Sequence, residues 1–224
     1  MSAAAVPERG ARSLPRLHAV TNDSVLRRND WESVAVQVLE AGGREVAVHI
    51  RGPGIGSREL LGLASALVPH SRRTGGLLFV NDRVDVALAA EVDGVHLGGG
   101  SLPPERARAL VGPGAWIGVS RHDPDEAALA AGEGADYVFL GTIYPTATHP
   151  GVGGLGAAAF EGALRRSPGV PILGIGGIGP DEAAEVVGSG AYGVAAIRGI
   201  WDAPDPGSAV RRYLASVGNR RERQ

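Results

Sequence analysis

The sequence predicts a single (β/α)8 barrel, and three observations carry the prediction. Eight short runs rich in Val, Ile and Leu alternate with longer amphipathic stretches, the two hydrophobic periods that buried strands and surface helices need. The boundaries fall on Gly, Pro, Asn, Asp or Ser, and 35 glycines and 15 prolines against 4% aromatic residues supply the turns that so many short elements require. The 224 residues suit one sizeable core, and eight strand–helix units in about 200 residues is the size of a small barrel.

Residues 1–14 show neither period and lack a secretory stretch, so a flexible tail is expected there, with the barrel over 15–216 and a charged tail over 217–224. The first strand is RLHAV (16–20), and DWESVAVQVLEAGG supplies a helix from Asp30. Strands follow at EVAVHI (45–50), GLLFV (76–80) and GVHL (94–97), then a helix from Pro104 in PERARALVG. AWIGV (115–119) leads into DPDEAALAAGEGA from Asp123, and DYVFLG (136–141) and VPILGI (170–175) are the next strands. PDEAAEVVGSGA from Pro180 precedes the last strand, YGVAAI (192–197). Several helices open on Asp or Ser and close on Gly, as capping requires, and 123–135 and 181–191 end on similar A-G-E-G-A-D-Y and V-G-S-G-A-Y phrases. An open doubly wound sheet would have fewer strands and a glycine fingerprint after the first, which LHAVTNDS lacks.

Composition narrows the function. A formal charge of −2 carries no basic footprint for nucleic acid, and no run of about 18 apolar residues offers a membrane span. A cytoplasmic protein with a small-molecule ligand is the expectation. The absence of cysteine excludes disulfides, thiol nucleophiles and thiolate-bound metal. All 22 cationic side chains are arginine, so a Schiff-base aldolase, a pyridoxal enzyme and a P-loop nucleotidase lose the lysine each depends on.

Barrel enzymes build their sites from the loops after the strands, and here those exits are polar. They read Thr21-Asn22-Asp23, His49-Ile50-Arg51, Asn81-Asp82, His96, Ser120-Arg121-His122, Thr142, Gly176-Gly177 and Arg198-Gly199. Gly176-Gly177 lies between the seventh strand and a helix, where backbone amides can cradle phosphate, with Arg198 as countercharge; a plain tight turn is the alternative. The glycine-rich run from His149 to Gly156 reads equally as a mobile lid or a surface segment. Asn81-Asp82 could hold magnesium, but Gly99-Gly100-Ser101 beyond His96 brings no second carboxylate, so a structural or substrate-bonding role and no metal are expected. With lysine and cysteine gone, histidine is the acid/base best poised near neutral pH, and His122 in V-S-R-H-D is the first candidate.

Taken together, L-H-A-V-T-N-D, V-H-I-R, V-N-D-R-V-D-V-A-L, G-V-H-L-G, I-G-V-S-R-H-D-P-D-E-A, D-Y-V-F-L-G-T-I-Y-P-T-A-T and I-G-G-I resemble the thiamine phosphate synthase superfamily from about residue 16 to 202. The resemblance implies a (β/α)8 barrel and one of two activities, the synthase or the thiazole tautomerase called TenI. The synthase joins a hydroxymethylpyrimidine pyrophosphate to a thiazole phosphate, and its pattern has Gln-x-Arg-x-Lys after strand two, a Thr-x-Thr-Lys loop and a second magnesium-binding Asp. This chain has His49-Ile-Arg51-Gly-Pro53, Thr146-Ala-Thr148-His149 and Ser101 at those places. Losing two cations and a metal carboxylate from a site that stabilises a leaving pyrophosphate should be costly. The tautomerase branch has L-H-A-(I/V)-T, H-I-R and the Ser, and needs neither pyrophosphate nor metal.

The expectation from sequence is therefore a thiazole tautomerase that aromatises a carboxythiazole phosphate tautomer, with no cofactor. The resemblance implies His122 as its acid/base through Gly118-x-Ser120-x-His122, and Gly176, Gly177, Arg198 and Gly199 as the phosphate site; Arg198 stands where a smaller residue is usual. His49, Arg51, Asn81, Ser120 and Thr142 are expected to bind substrate, with His49 or Arg51 facing its carboxylate. The ligand partner is a small thiazole phosphate, thiazole synthase is a possible protein partner, and a homo-oligomer is common in the family. The synthase, requiring Mg2+, and a non-catalytic phosphate-binding regulator are the alternatives.

Overall fold

The computed structural model describes residues 8–9, 12–130, 132–146, 153–166 and 169–218. Eight parallel strands close a barrel in chain order: β1 (Leu17–Val20), β2 (Val46–Ile50), β3 (Leu77–Asn81), β4 (Gly94–Leu97), β5 (Trp116–Arg121), β6 (Tyr137–Leu140), β7 (Ile172–Ile175) and β8 (Gly193–Ala196), with β8 paired back to β1. The main helices that follow them are α1 (Trp31–Gly42), α2 (Ser57–Thr74), α3 (Val84–Ala90), α4 (Pro104–Val111), α5 (Pro124–Leu129), α6 (Ala159–Arg166), α7 (Pro180–Gly188) and α8 (Pro206–Gly218). Single helical turns at Asp23–Leu26 and Arg198–Trp201 cap the exits of β1 and β8. No described helix is long and apolar enough to cross a membrane.

The strands alternate between two cores. Val46, Val48 and Ile50 of β2 pack outward with α1 and α2 into the larger cluster, while Ala47 turns inward with Leu77, Phe79, Trp116, Tyr137, Phe139, Leu173 and Ala195. Both faces are buried, so each strand reads as a continuous apolar run instead of an alternating one. Helix starts follow from chemistry: Asp123 accepts from the amides of Asp125 and Glu126, and Pro124 occupies the first helical position, where an amide would be unpaired.

The fold begins and ends differently from the sequence reading. Arg12–Ser13 pair antiparallel with Glu8–Arg9, and Leu14, assigned above to the tail, is buried in the barrel's lower core. The Leu14 carbonyl accepts from Tyr192 Oη at 2.5 Å, and Arg12 pairs with Asp93 at 2.6 Å. Val217, also assigned to a tail, is buried in the last turn of α8, and its carbonyl accepts from Arg16. Leu14 closes the end of the barrel opposite the site, and Val217 covers its flank. Residues 219–224 and most of 1–11 lie outside the described residues. β5 runs to Arg121, two residues past its expected end, because Ser120 and Arg121 continue the ladder with Phe139 and Leu140.

Candidate active site

The carboxyl ends of the strands surround a cavity of about 720 Å3. Nine of the ten site residues anticipated from sequence line it: Arg51, Asn81, Ser120, His122, Thr142, Gly176, Gly177, Arg198 and Gly199. The tenth, His49, does not reach it. His49 sits fully buried on the inner face of β2, stacked on Phe79 with ring centroids 4.7 Å apart. A substrate carboxylate cannot meet that imidazole directly, and burial holds its pKa down at about 3.

Two guanidiniums face the cavity from different strands. Arg51 follows β2, fixed by a pair of hydrogen bonds between its backbone and Thr21 Oγ1 (2.8 and 3.1 Å), and Arg198 opens the turn after β8 and reaches Thr146 Oγ1 at 3.5 Å. Among the described residues neither forms an ion pair. Gly176 and Gly177, after β7 and next to the Arg198 exit, also line the cavity, with φ of 96° and 67°. A Cβ on Gly177 would stand 2.6 Å from the Tyr144 carbonyl oxygen, so only glycine lets this turn nest under the loop after β6. The turn thus brings main-chain amides, not side chains, to the cavity wall just before α7.

His122 stands exposed at the mouth and Nδ1 donates to the Gly141 carbonyl at 2.6 Å, which leaves Nε2 without a hydrogen bond among the described residues. Asp82 and His96, strand-exit residues that were not among those ten, line the cavity as well. Asp82 adopts a left-handed backbone (φ 63°), and its Oδ1 accepts from Gly98 N–H (2.8 Å) and the Ser101 hydroxyl; Oδ2 has no hydrogen bond among the described residues. The signal for Asp82 was its place beside Asn81 at a strand exit. His96 points inward from β4, bonded through Nε2 to Ser120 Oγ (2.9 Å) and through Nδ1 to Tyr137 Oη (3.2 Å). Burial lowers the His96 pKa and raises that of Tyr137, so both are neutral near pH 7. Gly118, first of the Gly118-x-Ser120-x-His122 triplet, has a structural cause: a Cβ there would lie 2.4 Å from Tyr137 Oη. Among the described residues there is no group of three or more His, Asp or Glu side chains placed to hold a metal. His149 and residues 150–152 of the anticipated lid lie outside the described residues.

The sequence profile described as thiamine monophosphate synthase matches residues 17–200. The thiamine-phosphate synthase of Moorella thermoacetica is 42% identical over 177 residues, 78% of this chain and 83% of that one. That of Myxococcus xanthus is 40% identical and covers 90% and 92% of the two chains. A solved thiamine phosphate pyrophosphorylase from Pyrococcus furiosus superposes with a TM-score of 0.77 at 31% identity, covering 91% of this chain and 96% of that one. These relatives overturn the expectation of a thiazole tautomerase, and with it the isomerase and TenI assignments, since two are named thiamine-phosphate synthase and the third thiamine phosphate pyrophosphorylase. The mistaken step equated loss of lysine with loss of positive charge, whereas Arg51 and Arg198 both line the cavity. From its first barrel strand to the turn that carries Arg198, the chain belongs to the thiamine monophosphate synthase family.

Proposed function

We propose that this protein is a thiamine-phosphate synthase, a transferase that joins hydroxymethylpyrimidine pyrophosphate to thiazole phosphate with release of pyrophosphate. One observation carries the reading beyond kinship: two guanidiniums without ion-pair partners among the described residues share a single cavity with a left-handed glycine turn in its wall. Two separate cations suit two phosphorylated ligands. Arg51 holds the leaving pyrophosphate, and Gly176, Gly177, Arg198 and Gly199 hold the thiazole phosphate. Ser120, Thr142 and Asn81 line the space between and orient the rings.

Attack by a ring-nitrogen lone pair on a methylene carbon takes no proton from either partner. The chain's task is then to align two ligands and to hold negative charge as it develops on pyrophosphate. His122 offers its Nε2 at the mouth and positions substrate. Magnesium fits the residues present in a limited way: Asp82 has one carboxylate oxygen without a hydrogen bond among the described residues, and magnesium commonly binds one or two carboxylates plus substrate phosphate. Asp82 would hold it, and the ion would supply charge neutralisation at pyrophosphate.

Calorimetry with inorganic pyrophosphate, in the presence of magnesium, and separately with thiazole phosphate tests the two-anion site. Binding of both at once, with Arg51→Ala weakening the first and Arg198→Ala the second, is expected; mutual exclusion of the two ligands would overturn the arrangement.

A further inference from the structure

Two interior histidines take no part in the reaction proposed above, yet they connect the barrel's lower end to a residue of the cavity wall. His18 Nε2 lies 3.1 Å from the Pro15 carbonyl oxygen, His18 Nδ1 lies 2.7 Å from His49 Nε2, and His49 Nδ1 lies 3.1 Å from Asn81 Oδ1. Both rings are fully buried, packed among Phe79, Tyr137, Phe139 and His96.

Proton counting fixes the direction of every bond in this chain. A carbonyl oxygen only accepts, so His18 must carry its proton on Nε2. Its Nδ1 is then a bare lone pair, and His49 must carry its proton on Nε2 to bond it. His49 Nδ1 is bare in turn, and only a donor can sit against it. An oxygen of Asn81 there would set two lone pairs 3.1 Å apart; a half-turn of the carboxamide about χ2 replaces it with the N–H2 end. The opposite direction, with both protons on Nδ1, leaves the His18 Nε2 lone pair facing the Pro15 oxygen with no proton between. Adding a third proton would make one ring an imidazolium, which burial disfavours: the pKa of His18 is well below its ordinary value and that of His49 is down at about 3.

We infer that the His18–His49 pair is a positioning relay that turns the Asn81 carboxamide with its N–H2 toward His49 and its carbonyl oxygen toward the cavity. The Asn81 oxygen then stands beside the Asp82 carboxylate in the cavity wall, and both accept. A phosphoryl oxygen cannot pair with either directly. The occupant there must bring a donor, an N–H or O–H of the ligand or a water held on a cation. The identity of that occupant rests on the synthase reading; the relay itself belongs to the free chain and does not.

Nitrogen-15 spectra of the histidine side chains in the full-length protein at pH 7.5, assigned with His18→Phe and His49→Gln, test the relay. The expected result is two neutral rings, each protonated on Nε2 with a bare Nδ1. A protonated Nδ1 on His49, or two protonated nitrogens on either ring, would overturn it. Asn81→Asp gives a second measurement: once the new carboxyl is ionised it only accepts, so His49 acquires a proton on Nδ1, and a His49 pattern unchanged with that carboxylate ionised contradicts the relay. A protein that makes no thiamine phosphate but shows both Nε2–H rings retains the relay and loses only the proposed function.

Discussion

A guanidinium set among glycines and threonines gives up no carboxylate when a phosphate arrives, and Arg51 and Arg198 are both so placed. Hydrogen bonds to charged groups contribute about 1.5–3 kcal/mol, so Arg198→Ala should raise the KM for thiazole phosphate by roughly 10- to 150-fold. Its kcat should move far less. Arg51→Ala removes charge where it develops in the transition state, and steady-state assays should show kcat lower by ~10²-fold or more. Gly177→Ala tests the backbone: a residue with a Cβ is strained at φ 67° and meets the Tyr144 oxygen, so a loss of about 1–3 kcal/mol in a urea titration is expected together with weaker phosphate binding. Unchanged stability would mean that the turn relaxes. At this scale the glycine pair and Arg198 were legible in sequence, because a strand exit followed by two glycines leaves few other uses. His49 was not, since all five residues of β2 are buried and a continuous apolar run does not say which side chains face the barrel axis.

Among the strands, the interior face of β1, β2 and β4 carries His18, His49 and His96, each with its pKa lowered chiefly by burial. A lowered folded-state pKa means that the unfolded chain binds protons first as pH falls below about 6.5, while the folded rings stay neutral. The stability these rings contribute is therefore whole above pH 6.5 and drains away below it, toward about pH 3 for His49. Each ring adds a slope of ~1.4 kcal/mol per pH unit, so three together should give about 4. Asp93 opposes them with one proton, its pKa being raised by desolvation, so that it favours the folded state as pH drops. Urea midpoints measured from pH 7 to 4.5 should fall steeply in the native chain and less steeply in His49→Gln. A flat profile would mean that the rings are charged inside the barrel. The eight strands themselves were legible, within one or two residues at most ends, from apolar runs bounded by Gly, Pro and Asp. Single-turn helices such as Arg198–Trp201 were not, because four residues carry no period.

For the whole molecule, eight strands and their helices do one thing for chemistry: they converge their polar ends on one cavity while Leu14 closes the other end. The sequence showed that convergence through its exit residues, and nine of ten anticipated residues do line the cavity. It did not decide the reaction. Missing lysines count residue by residue, but charge around a cavity is a property of the assembled barrel, where Arg198 after the last strand and Arg51 after the second share one space. The most direct test is turnover by the purified protein on hydroxymethylpyrimidine pyrophosphate and thiazole phosphate with magnesium, read as thiamine phosphate and pyrophosphate formed in equal amounts. The account predicts both products, lost together when magnesium is chelated; a folded protein that binds the two substrates and forms neither product would contradict it.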